Sequence, residues 1–364
     1  MLGLGVSSAQ ASSSVSEAIQ VAAPLLAGSG GGANNADVAN YDSGAQLAGL
    51  VHAYRSGANT TLVGNRIDSL STDILGTGGA GPTFGGDQAY GLVVAGQLNR
   101  AGTSGNLAAV ATFYTTGYQD SGPFANFQAY ADYVGSASGD PTAPNADGTE
   151  NGVVWDLGFH VLATHTLGSA FNSQNAAFSS TLIQELGYFD TTVGDINAGE
   201  FSATEVLAVA LWGLKSSGYD NSTTTASGGG NWGNKDLITL AGVLRDKIDG
   251  DITAGQVFTE DLSYGILALE QFVGDSVGAG GVLTQADITA YQLLLADGVN
   301  HSPLSPTGAV PIYIRPDGVY TGGPGGTGVG AAYAGAALQA LPEPASLSFL
   351  GLAGMGLLAR RRRA

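Results

Sequence analysis

The chain predicts an all-α protein assembled from helical hairpins, and three observations point there. Hydrophobic residues make up 44% of its 364 positions, and they fall in blocks of helical spacing separated by turns drawn from 58 glycines. Only one stretch of the chain has strand character. A gapless internal match adds a repeat: Gly194-Asp195-Ile196-Asn197-Ala198-Gly199 corresponds to Gly250-Asp251-Ile252-Thr253-Ala254-Gly255, and the alignment continues to set Glu205 over Asp261 and Leu211 over Leu267. That period holds two helices and their turns.

The helical blocks run, in order, Ser14 to Leu26, Ala45 to Arg55, Thr60 to Leu75, Asp87 to Arg100, Asn106 to Gly117, Phe124 to Val134 and Val153 to Leu167. They continue with Asn175 to Leu186, Ser202 to Lys215, Lys235 to Ile248, Glu260 to Val273, Thr284 to Ala296 and Gly328 to Leu341. In several, an acid opens an apolar helix that carries glycine or alanine on one side, most clearly in Asp87-Gln88-Ala89-Tyr90-Gly91-Leu92, Asp156-Leu157-Gly158-Phe159 and Asp261-Leu262-Ser263-Tyr264-Gly265-Ile266. Glycine inside a helix costs about 1 kcal/mol relative to alanine. Gly91, Gly96, Gly158, Gly213 and Gly265 therefore predict close helix approach. The strand-like stretch is Ala309 to Tyr320, with Asp317-Gly318 as a turn signal; Pro311 and Pro316 confine it to an edge or a loop. Ala137 to Thr149 and Asn221 to Gly230 are low in complexity and read as surface loops.

Counting Asn106 to Val134 as one interrupted outer element, the blocks pair into six outer–inner hairpins. The inner members begin near Ala45, Asp87, Val153, Ser202, Glu260 and Gly328. This pattern resembles the (α/α)6 toroids shared by six-hairpin glycosidases, several polysaccharide lyases and terpenoid cyclase-like domains. The resemblance lies in architecture and repeat, and an open superhelical solenoid of hairpins explains the same period.

The two ends read as addresses, giving a division into a signal-peptide remnant (1–11), a helical-hairpin body (12–341) and a sorting tail (342–364). The tail runs Pro342-Glu343-Pro344, then Ala345 to Ala359 without a charge, then Arg360, Arg361, Arg362 and Arg363. Fifteen helical residues reach about 22 Å against a hydrocarbon core of roughly 30 Å, so the expected transmembrane helix is short, with its arginines held in the cytoplasm. These residues resemble the PEP-CTERM sorting signal of bacteria. The resemblance implies recognition by an exosortase, passage through the membrane, removal of the tail and delivery to the cell surface or an exopolysaccharide matrix. An ordinary tail anchor is the plain alternative. At the other end, Met1 to Val6 followed by Ser8-Ala9-Gln10-Ala11 resembles the close of a signal peptide with an A-x-A cleavage site, lacking its basic opening. A true start upstream is the expectation, and a frayed N-terminus the alternative.

Composition narrows the function classes. There is no cysteine, which excludes disulfides, thiolate metal sites and a cysteine nucleophile. Twelve Lys and Arg face 30 Asp and Glu, and four of the twelve are the terminal arginines, leaving a strongly acidic body. Nucleic acid and anionic lipid surfaces are set aside as partners of that body. Its few cations also argue against a lyase of polyanions.

Candidate chemistry concentrates at the starts of the inner helices. Asp156 and His160, four apart, share a helix face, as a general base and its orienter or two metal ligands would; a histidine hydrogen-bonded inside a bundle is the plainer reading. Asp87, Asp156, Glu205 and Asp261 could gather at a toroid rim as catalytic acids and bases or as a calcium site, or simply satisfy helix N-termini, the reading preferred here. His165 turns away from His160. Asp246, Asp249 and Asp251 lack the spacing of a calcium loop, and no zinc, phosphate-loop or serine-nucleophile motif is present. No cofactor and no metal is expected. The reading that results is an exported surface or matrix scaffold meeting polysaccharide; its rival is a carbohydrate-active enzyme using Asp156, His160, Asp87, Glu205 and Asp261.

Overall fold

A computed structural model describes residues 43–55, 60–77, 84–122, 124–135, 150–189, 202–300 and 313–318. Those residues form a mostly helical protein of eleven α-helices arranged in packed pairs. They are α1 (Ser43–Arg55), α2 (Thr60–Thr77), α3 (Gly86–Gly96), α4 (Asn106–Thr115), α5 (Phe127–Val134), α6 (Glu150–Leu167), α7 (Asn172–Tyr188), α8 (Ala203–Ser216), α9 (Leu237–Ala254), α10 (Thr259–Leu269) and α11 (Gln285–Asn300). Each coincides with a block expected from the sequence. The blocks Ser14 to Leu26 and Gly328 to Leu341, the loop Ala137 to Thr149, the first arm of the repeat at Gly194 to Gly199, and the sorting tail lie outside the described residues.

Helices α1, α3, α6, α8 and α10 are the inner members, each packed against the next in that order. Their burial follows from composition: in α3 every residue but Gln88 is buried, and in α8 burial runs unbroken from Thr204 to Leu214. A helix that is apolar on all sides has no solvent face and must sit in the middle of its protein. The glycines let these helices approach. A side chain on Gly91 of α3 would collide with the Gly44 carbonyl of α1, and one on Gly213 of α8 with the Gly158 carbonyl of α6. Gly265 of α10 instead makes room for the Ile248 side chain of the outer helix α9.

Outer elements are fastened by polar ties. Arg100 holds Asp68 of α2 through two hydrogen bonds of 3.0 and 2.7 Å while its guanidinium lies over the Tyr54 ring. Buried Arg245 of α9 donates to the carbonyls of Val277 and Gly281, pinning the loop that leads to α11.

Two stretches between the helices shape the site. The Asn221 to Gly230 stretch is a loop, as expected, and it is held in place: the segment after α8 folds back on the end of α7, with Gly230 donating to Gly187 and Asn231 to Phe189. Trp232 stacks flat on Phe189, ring centres 4.1 Å apart. Among the described residues, 313–318, the strand-like stretch contributes Tyr313–Ile314 (β2), which pairs antiparallel with Val257–Phe258 (β1), a strand the sequence did not suggest. Among the described residues no helix is long and apolar enough to cross a membrane.

Candidate functional site

The acids singled out by the sequence lie at related places along the inner helices. Glu205 and Asp261, aligned by the repeat, are each the third residue of their helix, α8 and α10. Asp87 is second in α3, while Asp156 sits in the second turn of α6, which begins earlier than expected, at Glu150.

Asp87 and Asp156 act on the preceding inner helix, not on their own. Asp87 Oδ2 accepts from the backbone N–H groups of Gly44 (3.0 Å) and Ala45 (3.4 Å) at the start of α1. Asp156 Oδ1 accepts from the Gly86 N–H at the start of α3, at 2.6 Å. N-terminus thus lies beside N-terminus, so these inner helices run parallel, and a carboxylate answers both the unbonded donors and the dipole of its neighbour. The absence of side chains at Gly44 and Gly86 is what admits the contact: a Cβ on either would overlap the backbone of Asp87 or Asp156.

His160 is buried and joins the same network. Its Nε2 lies 3.4 Å from Asp156 Oδ2, and its Nδ1 lies 2.8 Å from the Tyr114 hydroxyl. With the ring proton on Nε2, Nδ1 accepts from the phenol and the Nε2–H faces the carboxylate. Burial holds the Tyr114 hydroxyl well above its ordinary pKa, so it keeps the proton that it donates. The ring also stacks on Phe178 at 4.4 Å. Every nitrogen of His160 is therefore engaged, and the group ties α4, α6 and α7 together.

Nearby, the inner helices meet over aromatic side chains. Phe159 packs on Trp155, Tyr90, Trp212 and Tyr264, with ring centres 4.6 to 6.2 Å apart. Trp155, Phe159 and Tyr264 are wholly buried. These rings pack α3, α6, α8 and α10 against one another.

Asp261 differs from the other acids. It too reaches the preceding inner helix, but its Oδ1 meets the hydroxyl of Ser202, which already caps α8 by accepting from the Glu205 N–H at 3.0 Å. With a single hydroxyl donor in place of backbone N–H groups, burial dominates, and the Asp261 pKa is pushed up to about 7; Glu260 and Asp251 add to the rise, Ser202 and Lys247 oppose it. Glu205 is buried at the equivalent place in α8.

Asp261 also lines a cleft of about 870 Å³, bounded by the start of α8, the last turns of α9 and the β1–β2 pair. Trp232, Phe258 and Tyr313 supply ring surface to it, and Lys247, Asp251 and Arg315 supply charge. Asp87, Asp156, His160 and Glu205 do not line this cleft. Asp251, Lys247, Arg315 and Tyr313 were not among the residues picked from the sequence as a site. The one available signal was Asp251 itself, which belongs to the repeated hexapeptide and sits at a helix C-terminus, where a carboxylate opposes the dipole. Among the described residues no group of three His, Asp or Glu side chains is arranged to hold a metal ion. Comparison with family models, curated proteins and solved structures finds no match to this chain.

Proposed function

We propose that the protein is an exported, exosortase-processed surface or matrix scaffold, whose helical body meets polysaccharide and performs no catalysis. In this reading the five described inner helices and the block at 328–341 close an (α/α)6 ring, and the tail at 342–364 is a short membrane span removed on sorting. Pro342-Glu343-Pro344 followed by an uncharged segment and Arg360 to Arg363 supports the export route. For the body, the observation that carries the reading is the aromatic packing around Phe159, whose buried rings join α3, α6, α8 and α10. Asp87 and Asp156 are spent on the backbone of neighbouring helices, which suits structural carboxylates.

The rival enzyme reading keeps one specific support. Asp261, with a pKa near 7 beside a cleft, has the character of a general acid. One experiment separates the two: purified protein is assayed against neutral and acidic polysaccharides, with Asp261→Asn and Asp156→Asn alongside. The scaffold reading expects no turnover in any form. Turnover that vanishes in Asp261→Asn without a fall in thermal midpoint overturns it. The export route is tested by expression in a host with an exosortase, where a mature mass still including Arg360 to Arg363 would refute processing.

A further inference from the structure

We infer that the cleft between the start of α8, the end of α9 and the β1–β2 pair is a binding site for a neutral oligosaccharide, with Asp261 at its floor and Phe258 and Tyr313 at its rim. The inference rests on the scaffold reading only for the choice of a saccharide among neutral hydroxylated ligands.

The cleft has the size of a ligand site, about 870 Å³, within the roughly 300–1,000 Å³ usual for small-molecule pockets. Its charge selects the ligand. Lys247 and Asp251 neutralise each other across 3.0 Å, and Arg315 and Asp317 contribute one charge of each sign. Asp261 adds a negative charge only above neutrality. In a body with so large an excess of acid, the described residues of this lining are balanced in charge, so among them neither an anion nor a cation is specifically favoured.

Its polar groups are of the kind that bind paired hydroxyls. Carboxylates, an ammonium, a guanidinium and the amide of Gln256 provide acceptors and donors together. Asp261 is 3% exposed, yet among the described residues the only hydrogen bond to its carboxyl is the one from Ser202 to Oδ1. Its second oxygen is thus left for a ligand hydroxyl, and a buried polar group without that bond would carry a penalty. The ion pair adds an independent sign. Lys before Asp at i, i+4 is the weaker order on a helix, and an acid in the last turn opposes the dipole, so α9 gains little stability from Asp251.

Ring surface completes the site. Phe258 is 38% exposed, large for a phenylalanine on a protein with a filled core, and it packs against half-buried Tyr313 with ring centres 4.3 Å apart. Trp232 also lines the cleft, with one face already covered by Phe189. Flat apolar faces next to clustered donors and acceptors match a pyranose, which presents a C–H face and an equatorial ring of hydroxyls.

The test is titration of the full protein with cellotetraose, maltotetraose and chitotetraose, with tetragalacturonate as an acidic control, followed by calorimetry and by amide shifts. At least one neutral tetrasaccharide should bind saturably and shift the amides of Lys247, Gln256 and Tyr313. Tyr313→Ala should weaken binding at least tenfold in a protein that keeps its helical circular dichroism and cooperative unfolding. Ala203→Trp, which places a ring in the cleft from the first position of α8, should abolish it. No saturable binding by any neutral probe overturns the inference, as does binding that survives Ala203→Trp or that is equally strong for tetragalacturonate. Failure here leaves the non-catalytic scaffold standing, whereas hydrolysis of a bound probe would refute the scaffold and keep the site.

Discussion

Asp87 in the first half of the chain and Asp261 in the second sit at related places on inner helices, and each reaches back to the helix before it. Their fates diverge because of one residue. At α1 the receiving end offers the backbone N–H groups of Gly44 and Ala45, and Asp87 takes both. At α8 the receiving end already has its own cap, Ser202, so Asp261 meets a hydroxyl instead. The first carboxylate has become part of the fold. The second is buried with one neutral donor and a pKa near 7, facing a cleft. A repeat can thus free a position for ligand work by moving the capping duty onto a neighbour.

The largest effect should come from closing the gap that Asp87 uses. Gly44→Ala drives a methyl into the Asp87 backbone and should cost about 3 kcal/mol or more, roughly 6–12 °C in thermal midpoint. An equal midpoint in the variant would mean that α1 and α3 do not pack as described.

Next in size is the carboxylate itself. Asp87→Ala leaves two buried N–H groups at the start of α1 without their acceptor, for a loss of about 2–3 kcal/mol in urea denaturation at pH 8. Asp261→Ala measured in parallel should show no comparable loss. Equal losses would erase the difference between the two halves.

A pH series sharpens it further. Because the folded-state pKa of Asp261 is raised from 3.8 to about 7, the folded protein holds a proton that the unfolded chain releases, so this group's contribution falls as pH rises through that window. His52 on α1 works in the opposite sense: burial first, and Arg55 second, lower its pKa from 6.5 to about 4, so its contribution is lost as pH falls through that range. The two slopes oppose each other between pH 4 and 6.5. Asp261→Asn should therefore match the wild type near pH 4 and exceed it at pH 8 by roughly 1–4 kcal/mol, the upper figure being the full shift of about three units. A variant that is less stable at pH 8 would show that the ionised carboxylate is welcome in the fold.

Smallest is Ser202→Ala, which removes the cap of α8 and should cost about 1 kcal/mol. It should also raise the Asp261 pKa further, since the hydroxyl is the hydrogen bond that opposes burial. A carboxyl titration by NMR that moves downward in this variant would refute the arrangement.

The helices were legible because their signal is local. Periodicity, turn glycines and first-turn acids need no knowledge of partners, and every described helix lies on a block marked from the sequence. The in-helix glycines likewise announced close packing, since a residue that weakens a helix must be answered by something outside it. The repeat put Glu205 and Asp261 at equivalent places. Which helix each acid would serve was not legible, because an acid two or three residues into a helix looks the same whether it bonds its own backbone or a neighbour's. Only the packing of α3 against α1, and of α6 against α3, directed Asp87 and Asp156 across the interface. The cleft was hidden for a related reason: Trp232, Asp261 and Tyr313 are far apart in the chain, and a two-residue strand pair is too short to leave a periodic trace. Sequence alone determined the helices and their glycine seams, since both follow from each residue's own conformational cost. Tertiary structure decided which carboxylate was consumed by the fold and which was left facing a cavity, since that depends on what the neighbouring helix had already satisfied.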